Sequence, residues 1–303
     1  MATDRIGFIG IGSMGGPMAL RIHDAGFALT VFDTNPAAQA PFVEKNIRIA
    51  RSPREVADHA EIIFTCVNSR EASLAVALGE DGIVHGKAVR DYVETSTIGT
   101  PTIGKIAAGL VPRALGFVDS PISGGASGAR KGTLSTMASG PSAVLERARP
   151  AMSAFAKHIF HVGEKNGLAQ VAKLINNMLS ASAKIATFEG MVMGVKAGLD
   201  AQLLIDILNV STGRNSATLD KFPETILPRK FRADGSMAIG LKDAELFMEE
   251  AKALDVPTWI GPRVLEMYQE AADAGYKNID SMRMIEYVEK LAGGVVVKGR
   301  DVA

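Results

Sequence analysis

The chain has 303 residues, enough for one large domain or two, each burying a core of its own. Lysine plus arginine and aspartate plus glutamate number 33 each, so the net charge is zero and no general electrostatic pull on nucleic acid or an anionic membrane is expected. One cysteine, Cys66, rules out an intramolecular disulfide. With no long apolar run and no secretory-type N-terminus, these features predict a soluble cytoplasmic protein.

The predicted elements begin at once. An apolar run, Ile6 to Ile9, flows into Gly10-Ile11-Gly12-Ser13-Met14-Gly15, and a helix over 17–25 follows, ended by Gly26. Gly10, Gly12 and Gly15 fit the G-x-G-x-x-G fingerprint of dinucleotide binding. The first permits a tight turn, the second lets backbone approach a pyrophosphate, and the third lets helix and strand pack closely. A second strand over 28–32 ends on Asp33, about twenty residues past the glycines, where a carboxylate meets the ribose hydroxyls. Thr34, Asn35 and Pro36 follow, with no base until Lys45. A carboxylate at that place repels a 2′-phosphate, so NAD is favoured, while Arg51 and Arg54 leave NADP open.

Strands are predicted over 62–67, 88–94, 116–119, 134–139 and 159–162, alternating with helices, which is the pattern of a parallel sheet covered on both faces. Ligands of such sheets sit beyond the carboxyl ends of the strands. This marks Asn68-Ser69, Ser96-Thr97 and the segment 120–125 as site candidates. The five histidines, His23, His59, His85, His158 and His161, show no metal-binding spacing, and no metal is expected.

From Leu168 to Gly198 the chain is helix-forming and apolar on most faces, which predicts a long buried helix crossing a domain or a subunit interface. Further helices are predicted over 201–209, 242–254, 262–274 and 282–291, and a loose tail from Val295. The fold expected is α/β: an N-terminal Rossmann domain (1–163) plus an all-α C-terminal domain (164–303), joined by a long helix. On that helix Lys173 and Asn177 lie four apart and share a face, whereas Asn176 does not. An amine beside an amide in an apolar helix needs partners, or else the lysine reaches solvent along its stem. The polar 211–216 loop reads as a helix connection capped by Ser216 or Thr218.

Four motifs in order resemble the β-hydroxyacid dehydrogenases, the family of 3-hydroxyisobutyrate dehydrogenase and tartronate semialdehyde reductase. They are the segment 8–18 around the glycines, Asp119-Ser120-Pro121-Ile122-Ser123-Gly124-Gly125, the segment from Gly163 through Lys173 and Asn177, and Gly240-Leu241-Lys242-Asp243. The third motif departs from the family: its leading loop is one residue longer, and Ala169 stands where glycine is common.

The resemblance implies an oxidoreductase that moves a hydride reversibly between nicotinamide and a short 3-hydroxy acid, or a related semialdehyde. It makes Lys173 the general acid/base and Asn177 its hydrogen-bonding companion. Ser123, Gly124 and Gly125 would bind the substrate carboxylate. The resemblance also implies a specificity segment in the 211–216 loop, with Arg214 as a carboxylate or phosphate partner. Gly10, Ile11, Gly12, Ser13, Met14, Asp33, Thr34, Cys66, Val67, Thr97 and Lys242 would line the cofactor. A free lysine titrates near about 10.4, so a base working near neutrality calls for burial or a second cation, and Lys242 is the expected source. A homodimer or homotetramer is implied. An NAD sensor or scaffold is the non-enzymatic alternative, and retention of Lys173, Asn177 and Lys242 argues against it.

Overall fold

The computed structural model describes residues 4–231 and 235–300. The chain divides into two compact units, Met1–Lys173 and Leu174–Ala303. The first holds strands β1 (Ile6–Ile9), β2 (Leu29–Phe32), β3 (Arg48–Ile49), β4 (Ile62–Thr65), β5 (Asp91–Glu94), β6 (Gly116–Asp119), β7 (Ile122–Ser123), β8 (Leu134–Ser139) and β9 (Ala156–Gly163). Between them run helices α1 (Gly15–Asp24), α2 (Pro36–Glu44), α3 (Pro53–His59), α4 (Arg70–Leu78), α5 (Thr100–Leu110), α6 (Gly125–Lys131) and α7 (Ser142–Met152).

The strands form one sheet in the order β3-β2-β1-β4-β5-β6-β8-β7, with β9 on β8. Strands β1 to β6 are all parallel. The order reverses between β1 and β4, the crevice where ligands of open parallel sheets bind. Each strand feeds two cores by alternation: Phe8, Phe64 and Val118 pack into one, Ile9, Ile63 and Tyr92 into the other. That is why β1 and β4 read as unbroken apolar runs. Helix starts follow local chemistry. Asn35, Ser52 and Ser69 each accept a backbone N–H in the first turn of α2, α3 and α4, and Pro36 and Pro53 open two of those helices.

Helix α8 (Leu168–Lys196) begins in the first unit and runs on into the second. Gly198, at φ 97°, closes it: Leu199 N–H donates to Gly194 O and Gly198 N–H to Val195 O. After it come α9 (Ala201–Asn209), a wide π-type helix over Ala217–Ile226, α10 (Met237–Ala253), α11 (Ile260–Ala271) and α12 (Met284–Leu291). Their core gathers Phe188, Met191, Phe222, Met237, Tyr268 and Ile285.

Helix α8 has Leu174, Met178, Phe188 and Met191 inside, while Ile175, Leu179 and Met193 stand exposed on the single chain. Three expectations need correction here. Helix α10 starts at Met237 rather than near Lys242, so Gly240 to Asp243 is helical; Gly240 survives mid-helix because a Cβ there would lie 2.8 Å from the Tyr268 hydroxyl. The tail is pinned rather than loose. Val297 is fully buried and its N–H donates to Glu289 Oε1 at 2.8 Å, while Gly299 N–H donates to Leu227 O; residues 301–303 of the expected tail lie outside the described residues. The cap after the 211–216 loop is Asn215, whose Oδ1 accepts from Ala217 and Thr218 N–H, with Thr218 Oγ1 accepting from Asn215 N–H in return.

Candidate functional site

In the first unit, the loops that leave β1, β2, β4 and β5 meet at the carboxyl end of the sheet. The three fingerprint glycines do different work. Gly10 sits at φ 83°, and a Cβ on it would overlap Cys66 O at 2.2 Å. A Cβ on Gly15 would fall 1.9 Å from Gly10 O. A Cβ on Gly12 would meet nothing within 4 Å, so its backbone faces open space. Crowding on two sides and openness in the middle is what a loop needs if it is to lay backbone against a pyrophosphate. Ser13 is exposed, and Met14 packs half-buried against the core below.

Asp33 is oriented by the loop it faces. Its Oδ2 accepts from Ile11 N–H and its Oδ1 from Asn35 N–H, both at 2.8 Å. Each carboxylate oxygen keeps a second lone pair for another donor. Thr34 beside it is exposed, and Arg51 is engaged by Glu55 at 2.9 Å.

Further along the rim, Val67 N–H donates to Ser96 Oγ at 2.8 Å, which ties the loop after β4 to the loop after β5. Cys66 is half-buried there, and desolvation pushes its thiol up to about 11 even though a hydrogen bond with Thr95 pulls the other way. A neutral thiol in this place is a wall, not a nucleophile. Below, Glu94 is fully buried; it accepts from Ser96 N–H and from the Tyr92 hydroxyl, and burial holds its carboxyl above the usual range.

Reading the sequence missed Gln170. Wholly buried, it accepts Ile98 and Gly99 N–H on Oε1 at 2.9 and 3.1 Å and donates from Nε2 to Ser96 O at 3.1 Å. It therefore clamps the backbone on both sides of half-buried Thr97. The signal available was an amide in an apolar helical run one turn before Lys173. Asp119, at the end of β6, holds the other approach to α8. Its Oδ1 accepts from Ser139 Oγ, Gly167 N–H and the Asn166 amide, and Ser139 Oγ in turn accepts from Ala169 N–H. The longer loop before α8 is thus fastened by its own Asn166 and by a buried Ala169. Ser123 ends β7 half-buried, and exposed Gly124 and Gly125 follow at φ 125° and 64°.

On α8, Lys173 is buried, 7 % exposed. In the second unit the Asn177 amide donates to Asp243 Oδ2 at 2.7 Å and its carbonyl accepts from Asn176 at 3.0 Å. Asn176 is exposed and serves as a surface partner of Asn177. Lys242 Nζ lies 3.0 Å from Asp243 Oδ1, so the cation expected to lower Lys173 shares its charge with a carboxylate. Among the described residues no helix is long and apolar enough to cross a membrane.

Residues 5–163 match the NAD binding domain of 6-phosphogluconate dehydrogenase, and residues 167–288 match the domain described as NAD-binding of NADP-dependent 3-hydroxyisobutyrate dehydrogenase. Similar proteins include a 3-hydroxyisobutyrate dehydrogenase of Pseudomonas aeruginosa, 33% identical over 91% of this chain and 95% of its own. An NAD-dependent L-serine dehydrogenase of the same organism is 36% identical over the same shares. The Mycobacterium tuberculosis 3-hydroxyisobutyrate dehydrogenase solved with L-serine superposes with a TM-score of 0.84 at 28% identity, covering 94% of this chain and 99% of that one. With a Rossmann-type sheet, a helical second unit and matches along nearly its whole length, the chain belongs to the β-hydroxyacid dehydrogenase family of NAD(P)-dependent oxidoreductases acting on CH–OH groups.

Proposed function

We propose that this chain oxidises a short 3-hydroxy carboxylic acid of the 3-hydroxyisobutyrate type, reversibly and with NAD. The observation that carries the reading is the pair on α8: a buried Lys173 one turn from an Asn177 whose amide is fixed by Asp243. A nicotinamide dinucleotide held by the Gly10–Gly15 loop and Asp33 would supply the acceptor for the hydride that leaves the carbinol carbon. Lys173, as the neutral amine, takes the hydroxyl proton; in the reverse direction its ammonium returns that proton to the carbonyl oxygen. Asn177, unable to rotate while it donates to Asp243, orients the lysine or the substrate oxygen. Ser123 adds a hydroxyl donor to the glycine turn of Gly124 and Gly125, which suits a carboxylate.

Asp33 supports NAD over NADP. A carboxylate fixed by two N–H groups has lone pairs left for ribose hydroxyls and repels a 2′-phosphate, and Arg51 is engaged by Glu55. The exposed Ile175, Leu179 and Met193 on α8 support a homodimer or homotetramer, which light scattering reads directly.

The test is reduction of NAD and NADP against 3-hydroxyisobutyrate, 3-hydroxypropionate, serine, glycerate, threonate and 4-hydroxybutyrate. Turnover of one short acid with NAD, lost by at least about 10³-fold in kcat in Lys173→Ala while NADH still binds, is the expected result. Equal loss of turnover and NADH affinity in that variant would make the lysine structural and overturn the assignment.

A further inference from the structure

We infer that the cavity beside Asn177 in the second unit is a subsite for a second, distal carboxylate of the substrate. This rests on the hydroxy-acid reading above and names its substrate class: a 3-hydroxy acid that is also a dicarboxylate. The cavity has a volume of about 190 Å³ and is lined by Asn177, Lys184, Ser236, Asp243, Tyr268 and Ser281, among others. That is below the roughly 300–1,000 Å³ of pockets for drug-sized ligands, so a small molecule fits it.

Helix geometry sets the two ends. Asn177, Ala181 and Lys184 lie at i, i+4 and i+7, so they form one stripe of α8, and all three line the cavity. Seven residues at 1.5 Å rise separate the first and last by about 10 Å. Helical side chains lean back towards the N-terminus, which brings the lysine stem towards Asn177. A molecule with its reacting alcohol near Asn177 then reaches Lys184 through a linker of two or three carbons.

Charge decides what the far end takes. Asp243, at the near end, is already met by Asn177 at 2.7 Å and Lys242 at 3.0 Å. Lys184 instead donates to a neutral partner, the Tyr268 hydroxyl at 2.9 Å, and its ammonium lies 5.2 Å from that ring's centre. Among the described residues no carboxylate lies within 4 Å of its ammonium, and the one carboxylate lining the cavity, Asp243, is engaged elsewhere. An ammonium carries three donors and only one is used here. A half-buried cation without a counter-charge is costly, and an anionic ligand removes the cost. Tyr268 is itself fixed: it is buried, and Gly240 is the residue that leaves room for its hydroxyl.

The experiment compares 3-hydroxyisobutyrate with 2-(hydroxymethyl)glutarate, which adds a distal carboxylate, in the wild type, Lys184→Met and Lys184→Arg. The expected result is a preference for the diacid that falls about 30-fold in Lys184→Met, through KM, while the monoacid changes by no more than about twofold. Lys184→Arg keeps most of the preference. Calorimetric titration of glutarate onto the NADH-loaded full chain gives a readout without turnover: binding in the wild type, loss in Lys184→Met, with melting curves confirming that both are folded. Equal effects on monoacid and diacid, or glutarate binding indifferent to residue 184, would overturn the subsite. Failure of the hydroxy-acid reading looks different: no acid is turned over by any variant, yet glutarate still binds in a Lys184-dependent way, which keeps the subsite and sinks the reaction.

Discussion

Two single methyl groups, placed three residues apart, should have opposite signatures. In Gly15→Ala the new Cβ would lie 1.9 Å from Gly10 O and 2.9 Å from the Phe8 ring. Relief by moving Gly10 is restricted, because that residue is held at φ 83° and its N–H donates to Phe32 O at 2.9 Å. Overpacking of this kind costs about 3 kcal/mol, the upper end of its usual range. For a unit of this size each kcal/mol lowers Tm by about 2–4 °C, so the fall without nucleotide is about 6–12 °C. In Gly12→Ala the methyl meets nothing, and Tm without nucleotide should stay within about 1 °C. The loss appears on adding NADH. At a hundred times Kd the ligand stabilises the wild type by about 2.7 kcal/mol. If the methyl stands where the pyrophosphate must lie and weakens binding about 100-fold, about 0.4 kcal/mol remains. Thermal melts of both variants with and without NADH decide the matter. A full NADH shift in Gly12→Ala, or equal destabilisation of the two variants before nucleotide is added, would refute the assignment of separate roles.

Removing the Gln170 clamp leaves two buried N–H groups and a carbonyl unpaired, so Gln170→Leu should lose about 3 kcal/mol in urea unfolding; a loss under about 1 kcal/mol would show the loop re-pairing by itself. Glu94, held above the usual carboxylate range by burial, keeps a proton that the unfolded chain releases at about pH 4.3. Its contribution is therefore fully present below that pH and lost as pH rises through the folded value. Glu94→Gln should thus gain Tm relative to wild type as pH rises from about 4 to 8, and parallel profiles would count against the raised value. Cys66, raised to about 11, should react slowly with a soluble aromatic disulfide at pH 8. Its thiolate fraction is about 200-fold below that of a free thiol, and greater nucleophilicity recovers about tenfold, leaving a rate about 20-fold lower. Reaction at the free-thiol rate would contradict the buried environment; with one cysteine in the chain, the signal is unambiguous.

The parts of this fold that were legible in the sequence are those written in local chemistry. The strand over 116–119, the strand over 134–139 and the helix over 201–209 match β6, β8 and α9 to the residue, because apolar runs, Gly132 and the Asp200 cap mark their ends. The glycine loop and Asp33 were legible because their spacing is fixed by a hydrogen bond from Ile11. What was hidden depends on distant partners. The early start of α10 has no local mark, since Gly240 looks like a helix breaker until Tyr268, 28 positions on, is seen lying against it. The tail from Val295 carries no helical or strand pattern that marks a partner, yet Val297 and Gly299 find Glu289 and Leu227. The exposed side of α8 was equally invisible, since an apolar helix carries no sign of which face stays uncovered within its own chain.

Gln170 and Asp119 connect these findings to the chemistry. The rim that suits a nucleotide is made of loops after β1, β2, β4 and β5, fastened by three side chains: Asp33 to Ile11, Ser96 to Val67, and Gln170 to Ile98 and Gly99. The last of these side chains comes from the first turn of α8, whose start is fixed again through Gly167 to Asp119 and Ala169 to Ser139. Lys173 follows Gln170 by three residues, so it stands on the same side of the helix about one turn further along. Its position within the first unit is therefore set by the same hydrogen-bonded frame that shapes the rim. Under the proposed function, a rigid support of this kind would hold Lys173 to the narrow tolerance that proton transfer needs. Because Asn177 and Lys184 lie further along the same helix, the proposed subsite predicts that substitutions at Lys184 change which acid is accepted while the hydrogen bonds of Gln170, Gly167 and Ala169 stay as they are.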